Sequence, residues 1–356
     1  MKAMDPRETK LNILLFALPI TLYFNYVNQN HSMAFFSSLI AIMPLAFLMG
    51  RATEEIALRT TESLGGLLNA TFGNAAELII AVLLILEASR VADPETQSFF
   101  IQLVQASLIG SILGNLLLVM GLAFVWGGIH HSEQKYSETQ VSSNGSLLLL
   151  SMIVLVIPTV FHSSVGAEGG DSRLLDLSHI AAAILLLVYG LFLLFQFRTH
   201  VHLFATDGSH HEEPEMTQRD SIILLVVATV LVSWMAEILV HSVEYAAEDF
   251  GLPHLFIGVI LLPLFGNAAE HFTAVTVAGK DKMDLSFAIS MGSSTQIAVF
   301  IAPLMVIIAW ALGVPLTFEF GTLETVSAFL AVLIVNSIAA DGKSNWLEGA
   351  MLLSSY

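Results

Sequence analysis

The clearest chemical signal in the sequence is a six-residue motif, FGNAAE, which occurs at 72–77 and again at 265–270. Each copy lies in an apolar stretch and places an amide three residues before a carboxylate, so the two side chains share one face of a helix. An ionisable side chain deep in a membrane span costs about 2.5–3.5 kcal/mol on insertion scales, so two carboxylates in matched positions indicate a function. The residues are Asn74 and Glu77 in the first copy, and Asn267 and Glu270 in the second.

These side chains are of the types that bind a hard cation. Ca²⁺ takes carboxylate, amide and carbonyl oxygens, and it needs about six to eight of them. Gly73 and Gly266 precede the two asparagines, and glycine there lets the backbone loosen or approach a neighbouring helix, which could free carbonyl oxygens. For a single copy, helix packing would be an adequate alternative. Because the copies are identical, the sequence instead predicts a cation site built around Glu77 and Glu270.

The residues that the sequence lacks narrow the chemistry further. It contains no cysteine, and none of its apolar segments carries paired histidines at helical spacing, which argues against Zn²⁺ or Cu⁺. It has no Walker A, Rossmann glycine, HExxH or GxSxG pattern, so nucleotide hydrolysis and covalent catalysis have no visible machinery. We therefore expect no enzyme activity and no cofactor. The net charge of −17 argues against nucleic acid as a partner.

Further polar residues lie beside the two motifs. Ser107, Ser111 and Asn115 recur every fourth residue in one apolar segment, and Ser293 and Gln296 are three apart in another. Polar side chains spaced in this way often form hydrogen bonds between neighbouring membrane helices. The alternative is that Ser293 and Gln296 contribute to cation binding and that Ser107 and Ser111 line a proton path, and both interpretations stay open.

Three ionisable residues are candidates for ion access or a proton path. Glu54 and Glu237 lie near the ends of apolar segments, at related positions in the two halves of the chain. The alternative for Glu54, whose neighbour is Glu55, is an ordinary solvated charge. His271 directly follows Glu270 and could relay protons. Successive side chains diverge on a helix, however, so a packing role is the alternative for His271.

The elements that position these residues are predicted to be membrane helices. Hydrophobic residues make up 55% of the chain, charged residues 12%, and mean hydropathy is +0.77, which is too apolar for a water-soluble protein. A helical span needs roughly 20 mostly apolar residues. An eleventh such segment begins near Trp346 and is predicted to be cut short, because the chain stops at Tyr356. The other ten lie at about 11–27, 33–50, 64–88, 98–127, 146–162, 177–197, 221–243, 253–278, 284–312 and 322–340.

The basic residues predict the orientation in the membrane. If the chain crosses the membrane at each segment, eleven Lys and Arg lie on the same side of the membrane as the N-terminus. Only Arg90 and Arg173 lie on the opposite side. Since cytoplasmic loops hold the excess, the N-terminus is predicted to be cytoplasmic, and a prokaryotic cell membrane is expected. The linker at 199–220 would also be cytoplasmic and could sense divalent cations, although a solvated acidic connector is the alternative. Its candidate residues are His210, His211, Glu212, Glu213 and Glu215.

The two motif copies belong to a longer internal repeat. A Gly-Ser pair in the fourth and ninth segments, and a glutamate near the ends of the second and seventh, keep the same order. This predicts an all-α integral membrane fold with five-helix repeats at 33–198 and 221–356, preceded by a segment and first span at 1–32. Because five is odd, the second repeat enters from the opposite side, as in many secondary transporters.

These motifs are similar to those of a known family. GGLLNATFGNAAELIIA in the first half, and GNAAEH followed by GSSTQIA in the second, resemble the cation/proton exchanger (Ca²⁺/H⁺ antiporter) family of the cation/Ca²⁺ exchanger superfamily, from about Gly50 to Ala350. The resemblance implies eleven spans, the first outside the repeats. It also implies site residues: Glu77 and Glu270 as the central transport carboxylates, Asn267, Ser293 and Gln296 near the cation, and Glu54 and Glu237 guarding access.

The expected function is secondary transport that exchanges cytoplasmic Ca²⁺ for protons by alternating access at a midplane site. The expected partners are Ca²⁺, protons and the lipid bilayer, and a homo-oligomer is left open. Na⁺/Ca²⁺ exchangers carry a proline-containing motif that neither copy has here, so Na⁺ coupling is disfavoured. The alternatives are a Na⁺/H⁺ or broad divalent cation/H⁺ exchanger and, in another class, a passive cation channel.

Overall fold

A computed structural model describes residues 10–60, 62–165, 170–201 and 214–356, and these residues fold almost entirely into helices. We number the helices α1 to α13 and the strands β1 and β2 in chain order. They are α1 Leu11–Val27, α2 His31–Ala57, α3 Glu62–Gly73, α4 Ala75–Arg90, α5 Pro94–His130, β1 Gln134–Lys135, α6 Glu138–Val165, α7 Gly170–Leu194, α8 Gln218–Phe250, α9 Phe256–Gly266, α10 Ala268–Ala278, α11 Met283–Ala311, α12 Thr322–Ile338, β2 Lys343–Ser344 and α13 Trp346–Ser355.

Many of these helices have the dimensions of membrane spans. Within the described ranges, α2, α5, α6, α7, α8, α11 and α12 are long and apolar enough to cross a membrane. The bent pair of α9 and α10 would make an eighth span. Each predicted apolar segment coincides with one of the helices or helix pairs, often with polar turns added at the ends. The chain is therefore a mostly helical membrane protein, while the count of eleven spans and the inversion of the repeats stay predictions.

Both copies of the motif interrupt a helix at the asparagine. Asn74, between α3 and α4, has φ −97° and ψ 21°. Asn267, between α9 and α10, has nearly the same angles, φ −91° and ψ 7°, and the two helices are bent by 60° there. These angles lie near the sparsely populated bridge region of backbone space, where the regular helix stops. The motif itself therefore sets this break, because two distant copies adopt it.

A second pair of irregularities lies in α5 and α11. The helix widens to π geometry at Gly114–Val119 in α5 and at Ile297–Ile301 in α11. Both stretches come shortly after the Gly-Ser pairs of the internal repeat. Such π-helical turns are frequent at functional sites because they displace side chains and loosen the carbonyl ladder.

The helices form two compact units, which are described separately. Unit 1 comprises Met1–Leu103 and Thr206–Ala269. Within it α2 packs along α8, and α1, α3, α4 and α9 pack against this pair. The face of α2 that carries Phe35, Leu39, Ile42 and Leu45 is fully buried. The helix continues through an internal proline, Pro44.

Unit 2 comprises Val104–Ala205 and Glu270–Tyr356. In it α6 packs on α7, α11 and α12, and α7 packs on α11. The second half of α5 lies very close to α13 because glycines face each other. A methyl group added to Gly349 would lie 2.6 Å from the backbone nitrogen of Val125, and one added to Gly121 would lie 2.9 Å from Leu353.

One end of unit 2 is closed by a small polar cap. Strands β1 and β2 pair antiparallel there. The hydroxyl of Tyr136 donates a 2.7 Å hydrogen bond to the carbonyl of Lys343, and its ring stacks on Phe287 at 4.7 Å. Burial, and then the charges of Glu348 and Asp341, raise the pKa of Tyr136. The phenol therefore stays a neutral hydrogen-bond donor that fixes the cap.

Candidate functional site

In unit 1 the first motif's carboxylate lies against the second motif's glycine. Both carboxylate oxygens of Glu77 are buried. A methyl group added to Gly266 would lie 3.5 Å from Oε1 of Glu77 and 3.7 Å from its carboxyl carbon. The missing side chain at Gly266 therefore gives the carboxylate direct access to the backbone at the end of α9. The buried side-chain oxygen of Asn267 follows this glycine in the chain.

The first motif lies at a helix break. Gly73 ends α3, Asn74 is buried at the break, and Glu77 lies in the first turn of α4. The last carbonyls of the helix before a break lose their intrahelical partners, and the first amides of the helix after it carry a partial positive charge. Broken helices of this kind present backbone amides and carbonyls to ions in many secondary transporters.

In unit 2 two successive hydrogen bonds, here called the relay, connect Asn115 to Ser293 and Ser293 to Glu270, the carboxylate of the second motif. The amide nitrogen of Asn115, in the π-helical stretch of α5, donates to the hydroxyl of Ser293 on α11 at 2.9 Å. Ser293 in turn forms a hydrogen bond with the carboxylate of Glu270. The other carboxylate oxygen, Oε2, is buried and has no hydrogen-bond partner among the described residues. Like Glu77, Glu270 lies in the first turn of the helix after the break.

The remaining polar candidates of unit 2 have different surroundings. Ser111 is buried and Gln296 is half-buried, next to the two π-helical stretches. The hydroxyl of Ser107 donates to the carbonyl of Val104 within its own helix. His271 is buried, and its Nε2 has no hydrogen-bond partner among the described residues. The structure thus brings Ser293 to Glu270 and leaves the other four roles as predictions.

The two access candidates, Glu54 on α2 and Glu237 on α8, both lie in unit 1 and are exposed. The neighbouring Glu55 is the buried member of the Glu54-Glu55 pair, with 6% of its surface exposed. Sequence reasoning assigned it no role. The available signal was Arg59, four residues later, because that spacing pairs opposite charges on a helix.

The linker candidates fall mostly outside the described residues. His210, His211, Glu212 and Glu213 lie there, so their proposed regulatory role stays a prediction. Glu215 is described, is exposed, and forms a 3.1 Å ion pair with Arg51.

Within the described ranges, no group of three or more His, Asp and Glu side chains is arranged to hold a metal ion.

Comparison with known proteins identifies the family. Residues 31–198 and 220–356 both match the model of the sodium/calcium exchanger protein family. The chain belongs to this family. A relative, a Ca²⁺/H⁺ antiporter of Aphanothece halophytica, is 44% identical over an alignment of 359 positions that covers 96% of this chain and 93% of the relative.

Solved structures show the family's fold in this chain. Native YfkE is 36% identical, with a TM-score of 0.81 over 97% of this chain and 96% of YfkE; another YfkE structure is described as a Ca²⁺/H⁺ antiporter protein. An H⁺/Ca²⁺ exchanger, CAX, has a TM-score of 0.77 at 14% identity, over 99% of this chain and 87% of CAX, and shows the fold alone. The resemblance to the cation/Ca²⁺ exchanger superfamily is thus confirmed.

Proposed function

We propose that this chain is a secondary transporter that exchanges cytoplasmic Ca²⁺ for protons, with Glu77 and Glu270 binding the same cation in turn with protons. The observation that carries the proposal is that two identical motifs break their helices at the same residue, with nearly the same backbone angles. Each places buried carboxylate oxygens in the first turn after the break. Matched broken helices of this kind form the ion sites of many secondary transporters.

The comparisons support the choice of ions. The relative from Aphanothece halophytica and the YfkE structure are both described as Ca²⁺/H⁺ antiporters, and both align over nearly the whole chain. The oxygen ligands and the lack of cysteine agree with Ca²⁺ as the cargo. On this proposal the chain is a transporter rather than an enzyme, and Ca²⁺ and protons are its substrates.

The mechanism follows from the cost of an empty site. Two ionised carboxylates in a low-dielectric site repel each other, so the site is occupied either by one Ca²⁺ or by about two protons. The empty site cannot return across the membrane, which enforces exchange. The paired helices α2 and α8 rock against the remainder to alternate access, with Glu54 and Glu237 at the entrances. A proton gradient directed into the cell then drives Ca²⁺ out.

The topology is part of the proposal. Eleven spans, two inverted five-helix repeats at 33–198 and 221–356, and a cytoplasmic N-terminus would place the two motifs in opposite orientations in a prokaryotic cell membrane. The family model matches twice, at 31–198 and 220–356, which supports a duplicated build. The domain boundaries, including the linker at 199–220, rest on the sequence.

Proteoliposomes test the proposed exchange directly. Vesicles with an acidic lumen should take up Ca²⁺ while the lumen becomes alkaline, and a protonophore should abolish both changes. Glu77→Gln and Glu270→Gln should each abolish Ca²⁺ uptake without loss of membrane insertion, because one neutral amide cannot replace the charge that balances Ca²⁺. Substantial flux in either variant would refute the two-glutamate site.

The same vesicles separate the alternatives. A Na⁺/H⁺ exchanger would change the luminal pH when Na⁺ is added and would leave Ca²⁺ unmoved. A broad divalent exchanger would show Mn²⁺ competing with Ca²⁺ at similar concentrations. Ca²⁺ movement that needs no proton gradient and moves no protons would identify a passive channel.

A further inference from the structure

Glu55, near the end of α2, is a buried carboxylate that the proposed exchange does not use. Its two oxygens accept hydrogen bonds from the backbone amides of Glu215, at 3.0 Å, and Met216, at 3.2 Å. Arg59, one turn later on the same helix, lies 3.1 Å from a Glu55 oxygen. Arg59 also donates to the carbonyl of Met216. The end of the linker is thus held on both its amide and its carbonyl side.

These contacts fix the point at which α8 begins. Thr217 follows directly and caps α8, its hydroxyl accepting a 3.2 Å hydrogen bond from the backbone nitrogen of Asp220. The side chain of Glu215 adds the ion pair with Arg51, but its side chain is 71% exposed, and exposed pairs contribute little. The hold therefore comes from the buried carboxylate of Glu55 on the linker backbone.

The opposite ends of the same two helices are also joined. The hydroxyl of Ser32 on α2 donates to the carboxylate of Asp249 on α8. The ring of His31 stacks on Tyr245 at 4.6 Å. Because α2 begins where α8 ends, the two helices are antiparallel partners linked at both ends, with α8 also packed along α2 between them.

We infer that Glu55 and Arg59 form a positioning clamp that ties the end of the linker to α2, so that α2 and α8 move as one body during transport. The inference deepens the proposed function, since these are the helices proposed to rock. Without the clamp, the start of α8 could separate from α2, and the two would no longer change access together. Glu55 and Arg59 touch no transported ion in this account and act through the helices.

Spin-label distances test the clamp without relying on transport. The chain has no cysteine, so pairs can be introduced directly at exposed positions. Leu58 and Ile222 report on the clamped ends of α2 and α8, and Ile40 and Val230 report on the helix pair away from the clamp. Distances are measured by pulsed electron paramagnetic resonance in Ca²⁺ at alkaline pH and in Ca²⁺-free buffer at acidic pH.

In the parent protein we expect a narrow Leu58–Ile222 distance that is the same in both conditions. Glu55→Gln weakens a charge-assisted hydrogen-bond set, and the separated population should rise by roughly tenfold or more. The Ile40–Val230 distance should stay unchanged in Glu55→Gln, which shows that the variant is folded. Arg59→Lys should give a broader distribution of Leu58–Ile222 distances than the parent protein, because lysine lacks the planar guanidinium group that bridges two acceptors.

Transport supplies the second readout. Glu55→Gln should lower the maximal exchange rate more than it lowers the apparent Ca²⁺ affinity. Glu55→Asp, which keeps the carboxylate, should have a maximal rate between those of Glu55→Gln and the parent protein. Lys343→Met, which removes an exposed 3.1 Å ion pair with Glu133, is a control for the loss of an ion pair elsewhere and should exchange at the parent rate.

Two results would overturn the inference. One is a Leu58–Ile222 distance that changes between the two conditions in the parent protein, since a clamped pair cannot separate. The other is an unchanged distance in Glu55→Gln. If the distances behave as expected but the protein exchanges no Ca²⁺ for protons, the clamp stands and the proposed function fails.

Discussion

Replacing Ser293 with alanine tests the relay that reaches Glu270. The hydroxyl of Ser293 bonds the carboxylate and accepts the amide of Asn115 at 2.9 Å. Both Ser293 and Asn115 are buried, so water cannot readily replace the lost contact. Ser293→Ala removes a hydrogen-bond donor from Glu270, the carboxylate proposed to bind the cation, and it removes the acceptor that Asn115 uses.

The magnitude follows from the charge on the acceptor. A hydrogen bond to a charged group contributes about 1.5–3 kcal/mol, and each 1.4 kcal/mol is about tenfold in a binding constant. The apparent affinity of Ser293→Ala for Ca²⁺ should therefore fall by about 10- to 150-fold. The maximal rate should change less, because the lost interaction mainly supports binding.

The assay is the initial rate of Ca²⁺ uptake as a function of Ca²⁺ concentration at fixed pH. Ser294→Ala is the matched control: Ser294 is the next residue, is also buried, and its hydroxyl donates to the carbonyl of Ser290 in its own helix at 2.9 Å. The reasoning is refuted if Ser293→Ala stays within about twofold of the parent protein, or if Ser294→Ala loses as much affinity.

Two glycine positions give further predictions. At Gly266 an added methyl would lie at an ordinary van der Waals distance, 3.5 Å, from Glu77, so Gly266→Ala should still exchange Ca²⁺ for protons. The branched side chain of Gly266→Val should displace the carboxylate and lower the rate of Ca²⁺ uptake into proteoliposomes. Equal uptake rates for the two variants would contradict this contact. At Gly349 a methyl would lie 2.6 Å from a backbone nitrogen, so Gly349→Ala should lower the free energy of unfolding by about 1–3 kcal/mol in thermal unfolding in detergent. Gly190→Ala, with open space around the added methyl, is its control, and equal melting temperatures would contradict the close packing of α5 and α13.

The positions of the helices could be predicted from the sequence because hydrophobic length is a strong constraint in a membrane. The segment predicted at 284–312 corresponds to the helix Met283–Ala311, and the segment predicted at 322–340 corresponds to the helix Thr322–Ile338. The helix breaks were foreseen only in part. The glycines suggested a loosened backbone, but the break falls on the following asparagine in both motifs.

The sequence carried only a partial signal for the choice between Glu54 and Glu55, namely the spacing of Glu55 from Arg59. Successive residues on a helix point about 100° apart, so one of two adjacent glutamates faces inward, and the rotation of α2 against its neighbours decides which. The structure buries Glu55 against the linker and exposes Glu54. The contact between Glu77 and Gly266 was equally hidden, because it depends on how α4 packs on α9.

The central claim is that Ca²⁺ and protons compete for Glu77 and Glu270. The most direct test is the number of protons released when Ca²⁺ binds the purified protein, measured by titration calorimetry in buffers of different ionisation enthalpy. The account predicts a release of about two protons per Ca²⁺ when the site starts protonated, and loss of Ca²⁺ binding in Glu77→Gln and in Glu270→Gln. Ca²⁺ binding that releases no protons, or that persists unchanged in both variants, would contradict it.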